Sequence, residues 1–212
     1  MQAPATPFSV GECVESAWTT FKQNIGDYLV AQLVLALASF AASAALSAAG
    51  RGGMVLAMLL SSIQWTCSMS IAHAGVTKGK PKIEDAFRPL AERQGDYLMV
   101  CLAISVGILA CGIGIVVTYF LCLFAPLLVF EGRDFKQAVI ESKDLVLKYP
   151  AEVAIVVIVV AGLQIVGALA CGVGILVSTP VACLTVVKAH ERLSAKLALE
   201  LPAQTPPPPA AY

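Results

Sequence analysis

The feature that most constrains this chain is the length of its uncharged stretches. Asp, Glu, Lys and Arg are absent from four zones, at residues 29–50, 52–77, 97–130 and 153–187. A helix needs about 20 apolar residues to cross a bilayer. The first two zones therefore fit one spanning helix each, and the last two fit two helices each. We predict an all-α polytopic membrane protein with six transmembrane helices.

The composition supports membrane residence. Only 13% of the residues are charged and 58% are hydrophobic, whereas soluble domains average about 25% charged residues. A soluble surface could not be covered with charge in the usual way. This composition excludes an ordinary soluble domain.

The chain also repeats itself. The segment CGIGIVV begins at Cys111 and CGVGILV begins at Cys171, while Gly-Asp-Tyr-Leu occurs at residues 26–29 and 95–98. Lys148-Tyr149-Pro150 is interpreted as occupying the same place before the fifth helix. We predict three repeated hairpins in a single membrane domain over residues 1–200, with repeat units of approximately 8–75, 81–131 and 134–192.

Glycine-rich segments mark the predicted turns of these hairpins, because glycine permits tight backbone turns. They lie at Gly50–Gly53, Cys111–Gly114 and Cys171–Gly174. The distance from Tyr97 to the second turn is short for a spanning helix. Three explanations stay open: the third helix is short, it begins near Ala91, or its turn lies beyond Gly114.

A short amphipathic segment precedes each hairpin and predicts a helix at the cytoplasmic interface. The first extends from Phe8 to Ile25, with Ser9 and Glu12 as a capping box. The second covers residues 83–90. The third covers residues 135–149, with Asp134 as its N-cap.

The basic residues predict the orientation, because Lys and Arg are enriched in cytoplasmic loops. Arg51 lies in a hairpin turn, and the other thirteen basic residues lie at the termini or in the two longer loops. We therefore expect both termini to lie in the cytoplasm. The N-terminal segment lacks the features of a cleavable signal peptide, so the first spanning helix is expected to direct insertion. Residues 201–212 are predicted to form a disordered proline-rich tail.

Three segments resemble a group of bacterial six-helix integral membrane proteins of unassigned function, which includes the YciC-like proteins and the membrane domain of some glycerophosphodiester phosphodiesterases. The segments are Glu15-Ser16-Ala17-Trp18 with Phe21-Lys22, Phe124-Ala125-Pro126-Leu127-Leu128-Val129 with Glu131, and Phe135, Ala138 and Ser142. The resemblance implies an integral membrane protein and no particular chemistry. The soluble phosphodiesterase domain is absent from this sequence, so its activity does not carry over.

Polar residues inside the apolar zones are the candidate site residues. Gln32, Gln64 and Gln164 are candidates for interhelical hydrogen bonding, and lining a polar cavity is the alternative. Pro126 and Pro180 are predicted to kink helices four and six. Lys78, Lys80 and Lys82 are candidates for contacts with lipid headgroups.

The sequence offers little support for catalysis. His73 and His190 are expected near the inner ends of helices two and six, and His190-Glu191 lacks the second histidine of a zincin helix. No cofactor, metal or nucleic-acid partner is expected. Among seven cysteines, Cys111 and Cys171 are expected at the outer face, where a disulfide is an open alternative to two free thiols.

These observations lead to two functional hypotheses. The first is a non-enzymatic integral inner-membrane protein that organises membrane lipids or a membrane protein partner. The second is a transporter or channel that passes a small or lipidic solute along a pseudo-threefold axis. The second requires Gln32, Gln64 and Gln164 to converge on that axis.

Overall fold

The computed structural model of the chain describes residues 8–47, 51–109, 120, 122–170 and 173–200. Within these ranges the regular elements are all α-helices. They are α1 (Val10–Gln23), α2 (Ile25–Ser47), α3 (Arg51–Lys78), α4 (Glu84–Glu92), α5 (Gln94–Leu109), α6 (Ala125–Phe130), α7 (Phe135–Lys148), α8 (Pro150–Leu169) and α9 (Val173–Glu200). The predicted tail, Cys111 and Cys171 lie outside the described residues.

A single residue separates a short helix from a longer apolar one at three places. It is Asn24 between α1 and α2, Arg93 between α4 and α5, and Tyr149 between α7 and α8. The carbonyl of each accepts a hydrogen bond from the amide four residues later. The distances are 3.1 Å from Tyr28 N to Asn24 O, 3.0 Å from Tyr97 N to Arg93 O and 3.1 Å from Val153 N to Tyr149 O.

These junctions change the register predicted for the third segment. Tyr149 was matched to the tyrosines of Gly-Asp-Tyr, but it occupies the junction itself. The residue in the place of those tyrosines is Val153, which is fully buried. One position earlier, Glu152 corresponds to Asp27 and Asp96, so each long helix carries an acid in its first turn. An acid there interacts favourably with the helix dipole.

Each short helix also buries a small residue seven positions before its junction. These residues are Ala17, Ala86 and Ser142, and all three are fully inaccessible to solvent. A small side chain lets the helix backbone approach its neighbour closely. The short helices are therefore packed into the molecule, and α1 lies along α9.

Three of the described helices are long and apolar enough to cross a membrane: Ile25–Leu46, Pro150–Leu169 and Val173–Glu200. Gln94–Val106 is a shorter apolar helix. Of the three long segments, the α9 segment is 61% buried, whereas those of α2 and α8 are 17% and 22% buried. α9 is therefore the central helix, and α2 and α8 are peripheral.

The core lies around the second half of α9. Every residue from Ser178 to Val187 is buried, as are Ala189, His190 and Leu193. The C-terminal half of α3 packs against α9 and contributes Met69 and Ala72, while α1 contributes Phe21. A smaller cluster joins α5, α6 and α7 around Val100.

The first and third predicted turn segments overlap helices of the structure. Gly52 and Gly53 lie in the first turn of α3, and Gly174 lies in α9. A helix tolerates glycine where another backbone approaches it closely. A Cβ atom on Gly174 would be 2.5 Å from the carbonyl oxygen of Gly167. This close approach joins α8 to α9. The helix predicted as the third spanning one is α5, which begins at Gln94. Residues 110–119, which include the second predicted turn, lie outside the described part of the chain.

The prolines occupy two different environments. Pro126 lies in the first turn of α6, where its missing N–H group breaks no intrahelical hydrogen bond, so it does not kink a helix there. Pro180 lies inside α9, which continues on both sides of it. Pro180 cannot donate to the carbonyl of Leu176, as an ordinary residue would.

The predicted side-chain caps are wrong. Ser9 and Asp134 occupy N-cap positions, but neither side chain makes a capping hydrogen bond. Glu12 instead pairs with Arg192 of α9, with 2.5 Å between the charged atoms. The N-terminus of α7 is bonded by a distant residue: the amide of Phe135 donates to Oδ1 of Asp96 over 3.1 Å.

Candidate functional site

Three ion pairs lie together at one end of the helices. Around the C-terminal half of α9, Arg192 pairs with Glu12, Lys196 with Glu152 and Lys148 with Glu200. These contacts join α9 to α1, to the start of α8 and to the end of α7. The ends predicted to face the cytoplasm are thereby tied together by ion pairs.

Lys78 and Asp85 form the most connected of these contacts. The ammonium of Lys78 binds Oδ1 of Asp85, and the amide of Lys82 donates to its Oδ2 over 3.0 Å. The hydroxyl of Ser70 donates to the carbonyl of Asp85 over 2.6 Å. Burial raises the pKa of Asp85, but the bonds from Lys78 and Lys82 outweigh it and hold the pKa below its ordinary value.

Two glycines allow the chain to turn at this end. Gly79 follows α3 with φ of +78°, and its carbonyl accepts a hydrogen bond of 3.0 Å from the side-chain amide of Asn24. Gly132 follows α6 with φ of +99°. Its amide donates to Val129 and that of Arg133 to Leu128, both over 3.0 Å, which is a Schellman motif.

Between these two turns lies a polar cavity of about 320 Å³. Its lining combines side chains of both charges with Ser70, Thr77 and His73; the charged ones are Lys78, Asp85, Arg88, Glu92, Arg93 and Glu131. Arg88 is bonded to Glu92, and Arg93 lies within 4 Å of Asp96 and of Asp134. The cationic groups of this cavity are thus paired with acids of the protein.

One histidine contacts Glu131, and the other lines the same cavity as Glu131. Nδ1 of His190 is 3.7 Å from Oε1 of Glu131, and the His190 side chain is 7% exposed. His73 lines the polar cavity, and its ring lies 6.1 Å from that of Phe130. Burial raises the pKa of Glu131. An ion pair between His190 and Glu131 would require a protonated imidazole, and the burial of His190 disfavours that charged form.

Two of the predicted glutamines, Gln32 and Gln164, bond within separate pairs of helices. Oε1 of Gln32 accepts a hydrogen bond of 3.0 Å from Ser68 of α3. Oε1 of Gln164 lies 3.5 Å from the hydroxyls of Ser178 and Thr179 of α9. Gln64 is half buried on α3, and its carbonyl accepts from Ser68. The bonded side chains therefore join the two helices of their own hairpin.

A further polar contact between α3 and α5 was missed from the sequence. The hydroxyls of Ser62 and Ser105 are 3.0 Å apart, and Thr66 donates to the hydroxyl of Tyr97 over 2.7 Å. The signal was the series of hydroxyl residues four apart at positions 62, 66 and 70, which places them on one helix face.

The predicted headgroup residues differ in their surroundings. Lys80 and Lys82 are exposed. The side chain of Lys78 is 46% exposed and bound to Asp85. The side chains of Lys80 and Lys82 therefore extend into solvent, whereas that of Lys78 is bound to Asp85.

Within the described ranges, no group of three or more His, Cys, Asp or Glu side chains could hold a metal ion. The five described cysteines are free and buried: Cys13, Cys67, Cys101, Cys122 and Cys183. Thiols in such surroundings behave as small apolar side chains.

No family model, curated protein or solved structure matches the chain.

Proposed function

We propose that the chain is a non-enzymatic integral membrane protein that organises lipids of the bacterial inner membrane. One observation carries the proposal. Two peripheral helices of membrane-spanning length, α2 and α8, expose large apolar side chains beside an end held together by ion pairs. Phe40 is 74% exposed and Ile158 68% exposed. Such surfaces match the hydrocarbon core of a bilayer, and the charged end matches its headgroup region.

Six spanning helices in three repeated hairpins, with both termini in the cytoplasm, are part of this proposal. The three one-residue junctions at Asn24, Arg93 and Tyr149 support the repeat. Ala17, Ala86 and Ser142 support it too, because each is a small buried residue seven positions before its junction. The resemblance to the YciC-like proteins is compatible with this architecture and stays a prediction.

Lys80 and Lys82 are the residues proposed to contact anionic headgroups. Both are exposed directly after α3, and Asp27 and Glu84 line the same shallow cavity as Lys82. A juxtamembrane Lys or Arg contributes about 1 kcal/mol to attraction by an anionic surface. Two such residues are therefore enough to bias which lipids lie beside α2 and α3.

Native mass spectrometry of the protein released from its own membrane in mild detergent tests this function. We expect retained phospholipids that are enriched in anionic headgroups relative to the bulk membrane. The double variant Lys80→Gln/Lys82→Gln should lose that enrichment. The control Lys136→Gln/Lys143→Gln removes the same charge from exposed positions of α7 and should keep it. A lipid-free protein, or retained lipid of bulk composition, contradicts the proposal.

The alternative function is transport along a pseudo-threefold axis. Its sequence argument was convergence of the three glutamines, and the hydrogen bonds of Gln32 and Gln164 lie in separate hairpins. The polar cavity at the charged end is the observation that favours transport. Flux of a retained solute in proteoliposomes would support this second function over the first.

A further inference from the structure

An apolar groove of about 400 Å³ lies between α1, α8 and α9. Val14 and Trp18 of α1 form one side of it, Val166 and Ala170 of α8 form another, and Val177 of α9 contributes to the third. The groove therefore joins the short first helix to the two helices of the last hairpin.

Two glycines form the groove where α8 and α9 are closest. A Cβ atom on Gly167 would be 2.0 Å from the hydroxyl of Ser178, and one on Gly174 would be 2.7 Å from the Cβ of Ala170. No larger side chain fits between the helices at these positions. The two glycines therefore let α8 and α9 approach closely along the floor of the groove, whose lining includes both.

The chemistry of the lining selects a hydrocarbon. Its side chains are apolar apart from Ser178, whose hydroxyl is directed to Oε1 of Gln164 at 3.5 Å. A polar ligand would lose its hydrogen bonds to water in this groove and gain none in return, which costs free energy. An apolar ligand gains by leaving water or by filling the space.

The groove is continuous with the apolar surface of α8. Val166 is both a lining residue and 66% exposed, and its neighbours Ile165 and Leu169 are 61% and 78% exposed. These side chains lie on a helix long and apolar enough to span the membrane. Trp18 is 42% exposed, and an indole in such a position is typical of the headgroup boundary.

We propose that this groove binds one acyl chain of a membrane phospholipid, with the lipid headgroup beside Trp18. The inference rests on the proposed lipid-organising function and names one specific site for it. The bound chain fills the space between α1 and the last hairpin, so it joins elements that are distant in sequence.

Tryptophan quenching by phospholipids with brominated acyl chains tests the site. The chain has two tryptophans, so Trp65→Phe leaves Trp18 as the only reporter. In reconstituted vesicles, we expect quenching of Trp18 to saturate at a low mole fraction of brominated lipid. Val166→Phe fills the groove and should abolish the saturable part. The control Ile158→Phe adds the same ring to the same helix outside the lining and should leave it unchanged.

Quenching that rises only in proportion to brominated lipid in all variants overturns the site. Equal loss in both phenylalanine variants overturns it too. If the same vesicle protein forms a dimer that Val166→Phe alone dissociates, a second copy occupies the groove and the inference is wrong. Native mass spectrometry separates the two proposals, because specific lipid retained without saturable quenching leaves the lipid-organising function standing while the groove fails.

Discussion

The Cα atom of Gly75 in α3 faces the hydroxyl of Tyr28 in α2, so closely that a Cβ atom on Gly75 would be 1.8 Å from the Tyr28 oxygen. Tyr28 is 1% exposed, and its hydroxyl has no hydrogen-bond partner among the described residues. The tyrosine is therefore held by packing against the glycine. This contact fixes the start of α2 against the end of α3.

Gly75→Ala is predicted to destabilise the protein by about 1–3 kcal/mol, the usual cost of overpacking a core. The measurement is thermal or denaturant unfolding in detergent. The control is Gly26→Ala in α2, where a Cβ atom meets nothing within 4 Å, and which should be neutral or slightly stabilising.

Tyr28→Phe provides the matched rescue. It removes the clashing oxygen but keeps the ring, whose nearest carbon would still be 2.9 Å from the new Cβ. We expect the double variant to recover part of the loss. Purely additive effects of the two substitutions would show that the Tyr28–Gly75 contact is not the cause.

The sequence predicted the helical class and the existence of the short amphipathic helices, because these depend on local periodicity. It did not predict the partner of each cap. Asp134 has the right residue type at the right position, but its carboxylate lies 3.6 Å from Arg93. Asp96, which is 39 residues away in sequence, bonds the first amide of α7 instead. Such contacts depend on tertiary packing, which a local pattern does not contain.

The register of the third junction was missed for a similar reason. Tyr149 resembles Tyr28 and Tyr97 in residue type, yet it lies at the junction and packs under Lys196, whose ammonium is 4.5 Å from the ring centroid. The position equivalent to the other tyrosines holds Val153. Residue identity was a weaker guide here than the backbone hydrogen-bond pattern.

The candidate site was also only partly visible in the sequence. Lys78 was predicted to contact lipid, and its proximity to Asp85 could not be read from a spacing of seven residues across a turn. Gly174 was predicted to lie in a turn, and Gly167 was not singled out. The groove beside them depends on α1, which is more than 140 residues away in sequence.

Asp96→Ala is predicted to destabilise the protein by about 1 kcal/mol, because the amide of Phe135 loses its acceptor. Asp96→Asn keeps an acceptor oxygen and should cost less. The control is Asp27→Ala, since Asp27 has the equivalent position in the first hairpin but is exposed. Unfolding in detergent measures all three, and equal losses for Asp96→Ala and Asp27→Ala would rule out the capping role.

Asp85 predicts a dependence of stability on pH. Its native pKa is lower than its ordinary value, so the Lys78–Asp85 contact stabilises the protein fully above the ordinary pKa. That stability is lost as the pH falls through the native pKa. Asp85→Asn should cost about 1–3 kcal/mol at neutral pH and flatten the acid side of the stability profile.

Glu84→Gln is the control for this profile, because it removes one acidic charge from the neighbouring, exposed position of α4. We expect it to leave the acid side of the curve unchanged. Melting temperatures measured from neutral to acidic pH give the comparison. If Asp85→Asn and the wild type lose stability in parallel on acidification, the Lys78–Asp85 contact does not govern the slope.

The proposed topology predicts that the two ends of α3 label from opposite sides of the membrane. At about 1.5 Å per residue, the helix from Arg51 to Lys78 is about 40 Å long, which exceeds a bilayer core of about 30 Å. Arg51→Cys and Lys80→Cys are introduced separately after Cys111 and Cys171 have been replaced by alanine. The other cysteines are buried.

A membrane-impermeant maleimide should then label Arg51→Cys in intact spheroplasts and Lys80→Cys only in inverted vesicles. The same reagent applied after detergent solubilisation confirms that both thiols can react. Labelling of both variants from the same side would mean that α3 does not span the bilayer. In that case the proposed topology would be wrong, and the lipid-organising function would lose its structural basis.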